Sequence, residues 1–320
     1  MIRLQHRDIE YLKLLGRFGV LNKFTVDKHY GFHMQYSRFR RKKLADAGYI
    51  LKNQKISYLS SDGKEYVRSL GVEPRNISGD KRARDRIAKI AEILIPLKGI
   101  YKIYPSWELK KEYADMKLMY YGKIINPLTF SEYYIYNLGK LSEKPSKGAI
   151  ALKKRLIKNI REEIIQKSRE GLFDRVIIFA ENGLTMQLYK EELRTLEVKE
   201  QLLLPLTDYG LNFLNFYGVK NINAMATELV YGDVNFSKSN FVFADYVTSD
   251  GINVVIMISN DMEKLVKLKQ YRTMFEYNSA SVRAKIEIVC LEEQKETLER
   301  ELPGIKIRTV NLEDLKEGDS

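Results

Sequence analysis

The pattern of apolar and polar positions at the start of the chain predicts three helices followed by a β-hairpin. Apolar residues recur at helical spacing over residues 8–17 and predict a first helix. Thr25 is a candidate N-cap for a short second helix. A third helix is predicted over residues 36–47, ending at Gly48, where a left-handed conformation is easiest for glycine. The segment YILKNQKISYL then contains two β-prone runs around an Asn-Gln turn, which is typical of a hairpin.

The order of these elements, closed by a short helix in the segment SSDGKEYVRSLG, is that of a winged helix-turn-helix domain. We therefore predict such a domain over residues 1–70. Positions spaced i, i+3, i+4 and i+7 share one face of a helix. On the third helix this spacing predicts an exposed stripe of Arg38, Arg41, Lys42 and Ala45. The positions expected to face the core are Tyr36, Phe39 and Leu44.

The rest of the chain is predicted to contain a linker, an α/β domain and a tail. Residues 71–98 combine turn-forming residues with a basic amphipathic helix, which either joins two domains or also contacts phosphates. Residues 99–312 alternate strand-like and helix-like segments, and residues 239–310 follow the order β-β-α-β-α-β. Residues 144–171 predict a long helix whose basic stripe we interpret as a solvated face, with a secondary contact with DNA as the alternative. Residues 313–320 form an acidic, frayed tail, and the sequence contains no internal repeat.

Positive charge is concentrated in the first third of the chain. The net charge is +12, and residues 1–99 contain 22 Lys and Arg against 10 Asp and Glu. Residues 100–320 contain 32 of each and are balanced. Segregation of charge onto one module indicates a polyanionic partner for that module, and nucleic acid is the obvious one.

Composition limits the class of protein. Hydrophobic residues make up 44% and charged residues 30% of the chain, as in ordinary globular proteins. No apolar run approaches the ~20 residues that span a bilayer, and the start MIRLQHRDIEYL lacks the apolar region of a signal peptide. The single cysteine, Cys290, leaves no disulfide framework. We therefore expect a cytoplasmic protein, associated with the nucleoid or with a plasmid.

The basic third helix predicts contacts with double-stranded DNA. A recognition helix lies in the major groove with its cations towards phosphates and base edges, and a hairpin beside it can contact the backbone. The alternatives are a solvated charged face, or a winged helix that serves only as a protein-interaction module. The residues expected to contact DNA are Arg38, Arg40, Arg41, Lys42 and Lys43 of the helix, with Lys52 and Lys55 of the hairpin.

Three features of the chain resemble the replication-relaxation family of plasmids and integrative elements. They are the segment RRKKLADAGYI with the hairpin and YLSSDGKEYV, the Arg-rich helix over residues 81–97, and the C-terminal segment KLVKLKQY. The resemblance covers residues 1–97 and, more loosely, 235–310. It implies a C-terminal region similar to a restriction-endonuclease-like core, which we expect here in a degenerate form. It also implies a protein encoded by a mobile element that acts in replication initiation, DNA relaxation or transfer, or in transcriptional control.

A restriction-type nuclease site is the closest approach to catalytic chemistry. Such a site needs an acidic residue on one strand and an acid-x-Lys triplet on the next, to hold Mg²⁺ and polarise the phosphate. Asp245 is a candidate for the first acid, but the following strand, NVVIMIS, contains neither a carboxylate nor a lysine. Asp261 lies where it can cap a helix. We therefore expect a degenerate core, with Mg²⁺ needed only if the nuclease alternative holds.

The sequence does not contain the residues that other DNA-processing mechanisms require. The three histidines, His6, His29 and His33, do not have the spacing of a relaxase metal cluster. A tyrosine recombinase also needs a histidine near its arginines, and residues 34–320 contain none. No Gly-rich loop of the G-x-x-x-x-G-K-[ST] kind is present, so ATP-driven activity is unsupported.

The sequence predicts a sequence-specific double-stranded DNA-binding protein of a plasmid or mobile element, without an enzymatic role or cofactor. We expect a homodimer in which the α/β domain mediates dimerisation or recruits replication or transfer proteins. The sequence leaves two alternative functions open: a metal-dependent nickase that uses the C-terminal domain, and a protein-interaction adaptor.

Overall fold

The computed structural model of the chain describes residues 3–53, 55–77, 80–109, 119–192, 194–232, 236–277 and 284–317. These residues form two compact units, the first of residues 1–99 and 103–114 and the second of residues 100–102 and 115–320. The predicted α/β class with mixed sheets is confirmed. None of the helices described is both long and apolar enough to cross a membrane.

The first unit is built from helices around a small antiparallel sheet. Its elements are α1 (His6–Phe18), β1 (Leu21–Asn22), α2 (Lys23–His29), α3 (Met34–Asp46), β2 (Ile50–Lys52), β3 (Ile56–Leu59), α4 (Ser61–Ser69), α5 (Lys81–Leu94) and a 3-10 helix (Ile95–Leu97). Strand β1 pairs with β3, and β3 pairs with β2, so the order in the sheet is β1-β3-β2. The two-residue β1 was too short to be predicted from an apolar pattern.

Local chemistry sets the ends of these helices. The prediction that Thr25 caps α2 is wrong, because the Asn22 side chain accepts the Thr25 N–H at 2.8 Å and Thr25 is buried inside the helix. The predicted end of α3 at Gly48 is confirmed, with a φ of 82°. Gly63, near the start of α4, lies so close to the hairpin that an added Cβ would be 1.9 Å from the Tyr49 carbonyl oxygen. Only glycine fits there.

One apolar core holds the first unit together. Helix α1 contributes Tyr11, Leu12, Leu15 and Phe18, which are fully buried. Leu44 from α3 and Leu59 from the hairpin are also buried. Helix α5 uses Ile87 and Ala88 to pack against Val20 and Ile56. Because α5 buries its apolar face in this way, the structure favours a packing role for the basic helix that follows the linker.

The second unit contains two mixed sheets. The elements of its first half are β5 (Gly122–Ile125), β6 (Glu132–Asn137), α6 (Lys147–Arg169), β7 (Arg175–Ala180), α7 (Gly183–Glu191), β8 (Glu200–Pro205) and α8 (Asp208–Val219). Those of its second half are α9 (Ile222–Tyr231), β9 (Phe236–Lys238), β10 (Tyr246–Thr248), β11 (Ile252–Ile256), α10 (Met262–Tyr277), β12 (Lys285–Leu291), α11 (Lys295–Glu301), β13 (Lys306–Val310) and α12 (Leu312–Glu317). A further strand, β4 (Lys102–Pro105), lies where the chain passes between the two units.

The two halves of the second unit repeat one arrangement of elements. Strands β5 and β6 are antiparallel, and β6, β7 and β8 are parallel neighbours connected through α6 and α7. Strands β10 and β11 are likewise antiparallel, and β11, β12 and β13 are parallel neighbours connected through α10 and α11. The predicted order β-β-α-β-α-β near the C-terminus is therefore confirmed. The repeat is not visible in the sequence, because the arrangement depends on which positions are apolar and does not require the same residues in both halves.

The acidic tail is more ordered than predicted. Helix α12 covers most of it, and Leu315 in this helix is completely buried. The prediction of a frayed tail over residues 313–320 is therefore wrong as far as Glu317, because one apolar side chain is enough to anchor the turn that carries it. Residues 318–320 of that prediction lie outside the described residues.

Candidate nucleic-acid interface

Helix α3 has a buried and an exposed face, and the buried face includes two of the predicted DNA contacts. The buried positions, at i, i+3, i+4 and i+7, are Ser37, Arg40, Arg41 and Leu44. The exposed positions are Met34, Gln35, Arg38, Phe39, Lys42, Lys43 and Asp46. The predicted stripe is therefore wrong for Arg41, and Phe39 is wrongly assigned to the core. Arg40 and Arg41 are only 5% and 6% exposed, so neither guanidinium is presented on the surface of the helix.

Arg40 is turned inward because a buried carboxylate on α1 receives it. Arg40 Nε donates to Asp8 Oδ1 at 3.1 Å, and its Nη2 donates to Asp8 Oδ2. Asp8 also accepts the Tyr30 hydroxyl and the Gln5 N–H, both at 2.8 Å. Burial alone would raise the pKa of Asp8, but the hydrogen bonds from Arg40, Gln5 and Tyr30 outweigh it and lower the pKa. The pair thus fastens α3 to α1.

Arg41 is turned inward towards the hairpin. Its Nε donates to Ser57 Oγ at 3.1 Å, and its Nη2 donates to the Asn53 carbonyl oxygen at 3.2 Å. The Asn53 side chain in turn accepts the N–H groups of Lys55 and Ile56, each at 2.8 Å, which fixes the turn of the hairpin. Arg41 therefore sets the position of the hairpin relative to α3.

The remaining predicted cations are on the surface. Arg38, Lys42 and Lys43 on α3 are exposed, as are Lys52 and Lys55 in the hairpin. Among the described residues, a carboxylate pairs with Arg40 and with none of these five cations. The cations are thus left to a partner or to solvent. We call these five residues the cationic surface.

Exposed apolar side chains accompany the cationic surface, and no sequence pattern indicated them. Phe39 is 50% exposed and Met34 is 63% exposed on the outer face of α3. Phe24 and Phe32 are also exposed and lie edge to face, with 6.3 Å between ring centroids. Lys43 Nζ lies 4.5 Å from the centroid of the Phe39 ring, a cation–π distance. The outer face of α3 therefore combines cations with an aromatic ring.

Asp245, the nuclease candidate, is engaged in an ion pair. Lys264 Nζ lies 2.7 Å and 2.8 Å from its two carboxylate oxygens. Its Oδ2 also accepts the Ile256 N–H at 2.8 Å. The carboxylate of Asp245 is therefore paired with an ammonium group. Within the described ranges, no group of three or more His, Cys, Asp or Glu residues is arranged to hold a metal ion.

Asp261 has the capping role that its position predicted. Its Oδ1 accepts the Glu263 N–H at 2.9 Å at the start of α10, and it accepts the Gln201 N–H of β8 at 3.0 Å. The side chain is 1% exposed. Burial, together with the nearby carboxylate of Glu200, raises its pKa. Asp261 thus links the two halves of the second unit.

The histidines have structural or exposed positions. His29 Nε2 lies 2.8 Å from the Arg7 carbonyl oxygen, and burial lowers the pKa of its imidazole. His6 and His33 are exposed. Among the described residues, no histidine belongs to a group of three or more His, Cys, Asp or Glu that could hold a metal ion.

Comparisons of the chain with protein-family models, with curated proteins and with solved structures found no match. The likeness to the replication-relaxation family therefore stays a prediction that depends on the three segments quoted above.

Proposed function

We propose that the chain is a sequence-specific double-stranded DNA-binding protein and that its first unit is a winged helix-turn-helix domain. The observation that carries the proposal is the difference between the two faces of α3. Arg40 and Arg41 fix the helix to α1 and to the hairpin, whereas Arg38, Lys42 and Lys43 are exposed without carboxylate partners among the described residues. A rigidly held helix with an unneutralised outer face is what entry into a major groove requires.

The arrangement of the first unit supports the same assignment. Helices α2 and α3 are separated by a four-residue turn that contains Gly31, as in helix-turn-helix motifs. The hairpin then returns against β1, so that β1-β3-β2 forms a small sheet beside α3. Lys52 and Lys55 belong to this hairpin beside α3, where a wing would contact the DNA backbone.

Each exposed residue has a chemical role in this proposal. Arg38 has the planar donors that bind guanine O6 and N7 in the major groove, and Lys42 and Lys43 neutralise phosphates. Phe39 offers an apolar surface for the methyl group of thymine. Lys52 and Lys55 add affinity that does not depend on sequence. Arg40 and Arg41, which were expected to contact DNA, are positioning residues instead.

The wider role is proposed from the sequence resemblance and from charge. The resemblance supports a protein of a plasmid or mobile element that acts in replication, transfer or transcriptional control. The charge-balanced second unit would provide dimerisation or contacts with replication or transfer proteins, so that the protein acts as a homodimer on the plasmid or nucleoid. The occupied carboxylate of Asp245 favours this role over a nickase.

The proposal can be tested by selecting binding sites for the full chain from a random duplex library. The affinity for the selected site is then measured by fluorescence anisotropy. The variant Arg38→Ala/Lys42→Ala should weaken binding to the selected site at least 10-fold, since the base contact of Arg38 contributes about 1–3 kcal/mol and Lys42 adds a phosphate contact. The matched control Arg155→Ala/Lys158→Ala removes one arginine and one lysine from the exposed face of α6 and should change affinity less than 3-fold. Failure to select any site, or equal losses in both variants, would contradict the proposal. Failure to select any site would also favour the adaptor alternative.

A further inference from the structure

A cavity in the first unit lies beside the hairpin. Its volume is about 340 Å³, and Leu51 and Tyr58 of the hairpin line it. These two residues are opposite each other in the pairing of β2 with β3. Tyr58 follows Ser57, which bonds Arg41 of α3, and successive side chains of a strand point to opposite faces. The cavity therefore opens on the side of the hairpin that α3 does not cover.

Three cations converge on this cavity. They are Lys64 of α4, Arg84 of α5 and Arg75 of the segment between these helices. None of the described residues that line the cavity is acidic. Lys64 Nζ donates to Asn76 Oδ1 at 3.1 Å. Like charges repel, so an anion that binds among the three cations would reduce their repulsion.

Two of the cations that line the cavity each have a buried guanidinium nitrogen with unused hydrogen-bonding capacity. Arg75 Nη1 and Arg84 Nε are buried and make no hydrogen bond. A buried donor without an acceptor is unfavourable. The Arg75 guanidinium is nonetheless held in place, because it stacks on the Trp107 ring at 3.7 Å from the centroid. Burial lowers the pKa of Arg75, and the carboxylate of Glu108, which pairs with Arg17, offsets only part of this effect.

The lining indicates the class of ligand. Guanidinium groups bind phosphate oxygens through paired N–H donors, and the Lys64 ammonium adds a third cation. Leu51, Ile77 and the Tyr58 ring supply apolar surface for an organic group. A volume of about 340 Å³ is at the lower end of the ~300–1,000 Å³ found for small-molecule sites. We propose that this cavity binds an organic phosphate of the size of a mononucleotide. This binding does not require DNA.

The test is isothermal titration calorimetry of the full chain with the four ribonucleoside 5′-monophosphates and with the matching nucleosides. At least one monophosphate should bind with one-to-one stoichiometry, and its nucleoside should bind at least 10-fold more weakly. Arg84→Gln should weaken binding at least 10-fold. The matched control Arg82→Gln removes an exposed arginine that does not line the cavity, and it should change affinity less than 2-fold.

Loss of folding is separated from loss of binding by thermal unfolding without ligand. Because Arg84 Nε is buried without a partner, Arg84→Gln should unfold at the temperature of the wild type or above it. Absence of binding by all four monophosphates, or equal affinity in Arg84→Gln and wild type, would overturn the proposal. A fall of about one in the salt slope of duplex binding in Arg84→Gln would also overturn it, because the cavity would then hold a backbone phosphate of DNA.

Discussion

The guanidinium of Arg40 and the carboxylate of Asp8 form a buried ion pair that joins α3 to α1, with 3.1 Å between Arg40 Nε and Asp8 Oδ1. The pair shows that a run of adjacent cations can serve two purposes. The side chains that face inward are neutralised or hydrogen-bonded and hold the helix, and those that face outward keep their charge for a partner. The run RFRRKK therefore contains fewer surface cations than its sequence suggests.

Removal of the carboxylate from this pair should destabilise the first unit. We expect Asp8→Ala to lower the free energy of unfolding by about 3–5 kcal/mol, because it leaves the Arg40 guanidinium buried without a counterion. Urea denaturation followed by circular dichroism measures the change. The control Lys42→Ala, on the exposed face of the same helix, should cost no more than about 0.5 kcal/mol. A similar small effect of Asp8→Ala would show that the pair does not hold the helix.

The same pair should make the first unit sensitive to acid. The pKa of Asp8 is lowered in the folded protein from its ordinary value of 3.8. Around and below pH 3.8, Asp8 therefore binds a proton more readily in the unfolded state than in the folded state. The stabilisation is complete well above pH 3.8 and is lost as the pH falls through the folded pKa. The double variant Asp8→Leu/Arg40→Met should lose less stability between pH 5 and pH 3 than the wild type. Equal losses in the two proteins would assign the acid sensitivity to other carboxylates.

Much of the first unit could be predicted from sequence because its helices and hairpin have local signals. The spacing of Leu12 and Leu15, the glycine at position 48 and the two β-prone runs each indicated an element that the structure contains. The buried face of α3 could not be predicted, because arginine on an exposed helix face is the ordinary expectation. Only the distant residues Asp8 and Ser57, brought close by folding, make burial of Arg40 and Arg41 favourable.

The exposed side of the candidate interface was also only partly predictable. Arg38, Lys42 and Lys43 are exposed as expected, but Phe39 was assigned to the core because apolar residues are usually buried. Helical periodicity could have corrected this, since Phe39 and Leu44 lie five positions apart and therefore on different faces of α3. The cavity around Arg75 and Arg84 brings together α1, the hairpin, α4, α5 and the segment between these last two helices, so no local pattern indicates it.

The hairpin lysines should contribute affinity without sequence preference. Replacing Lys52 and Lys55 by alanine should reduce the slope of log affinity against log salt by about 0.9 for each phosphate that is no longer neutralised. Binding to the selected site and to random duplex should weaken by the same factor, which anisotropy titrations at several salt concentrations can measure. A change in the ratio of the two affinities would mean that these lysines read base edges.

Phe39 should distinguish thymine from uracil if it contacts the major groove. Replacing individual thymines of the selected site by deoxyuridine removes only the 5-methyl group. We expect one such replacement to weaken binding by the wild type about 3–10-fold, since burying one methyl group contributes about 0.8 kcal/mol. Phe39→Ala should bind both sites with equal affinity, as measured by anisotropy. Equal sensitivity of wild type and Phe39→Ala would exclude the contact while leaving phosphate binding by the cationic surface intact.

Asp261 should make the second unit less stable as the pH rises. Burial and the carboxylate of Glu200 raise its pKa above 3.8, whereas Lys264 partly offsets them. Between pH 3.8 and the raised pKa, the unfolded state releases a proton that the folded state keeps, so stability falls with increasing pH in that range. Asn at this position cannot ionise, but its side-chain oxygen can still accept the N–H groups of Gln201 and Glu263. Asp261→Asn should therefore stabilise the protein by at least about 1 kcal/mol at pH 8.

The pH dependence of this gain separates ionisation from packing. Urea denaturation at pH 4 should show little difference between Asp261→Asn and the wild type, because the folded wild type then keeps Asp261 protonated. The control Asp250→Asn alters an exposed carboxyl in the turn before β11 and should change stability by no more than about 0.5 kcal/mol at either pH. An equal gain from Asp261→Asn at both pH values would mean that the substitution acts through hydrogen bonding or packing. A loss at pH 8 would mean that the ionised carboxylate, through its contact with Lys264, holds the two halves of the unit together.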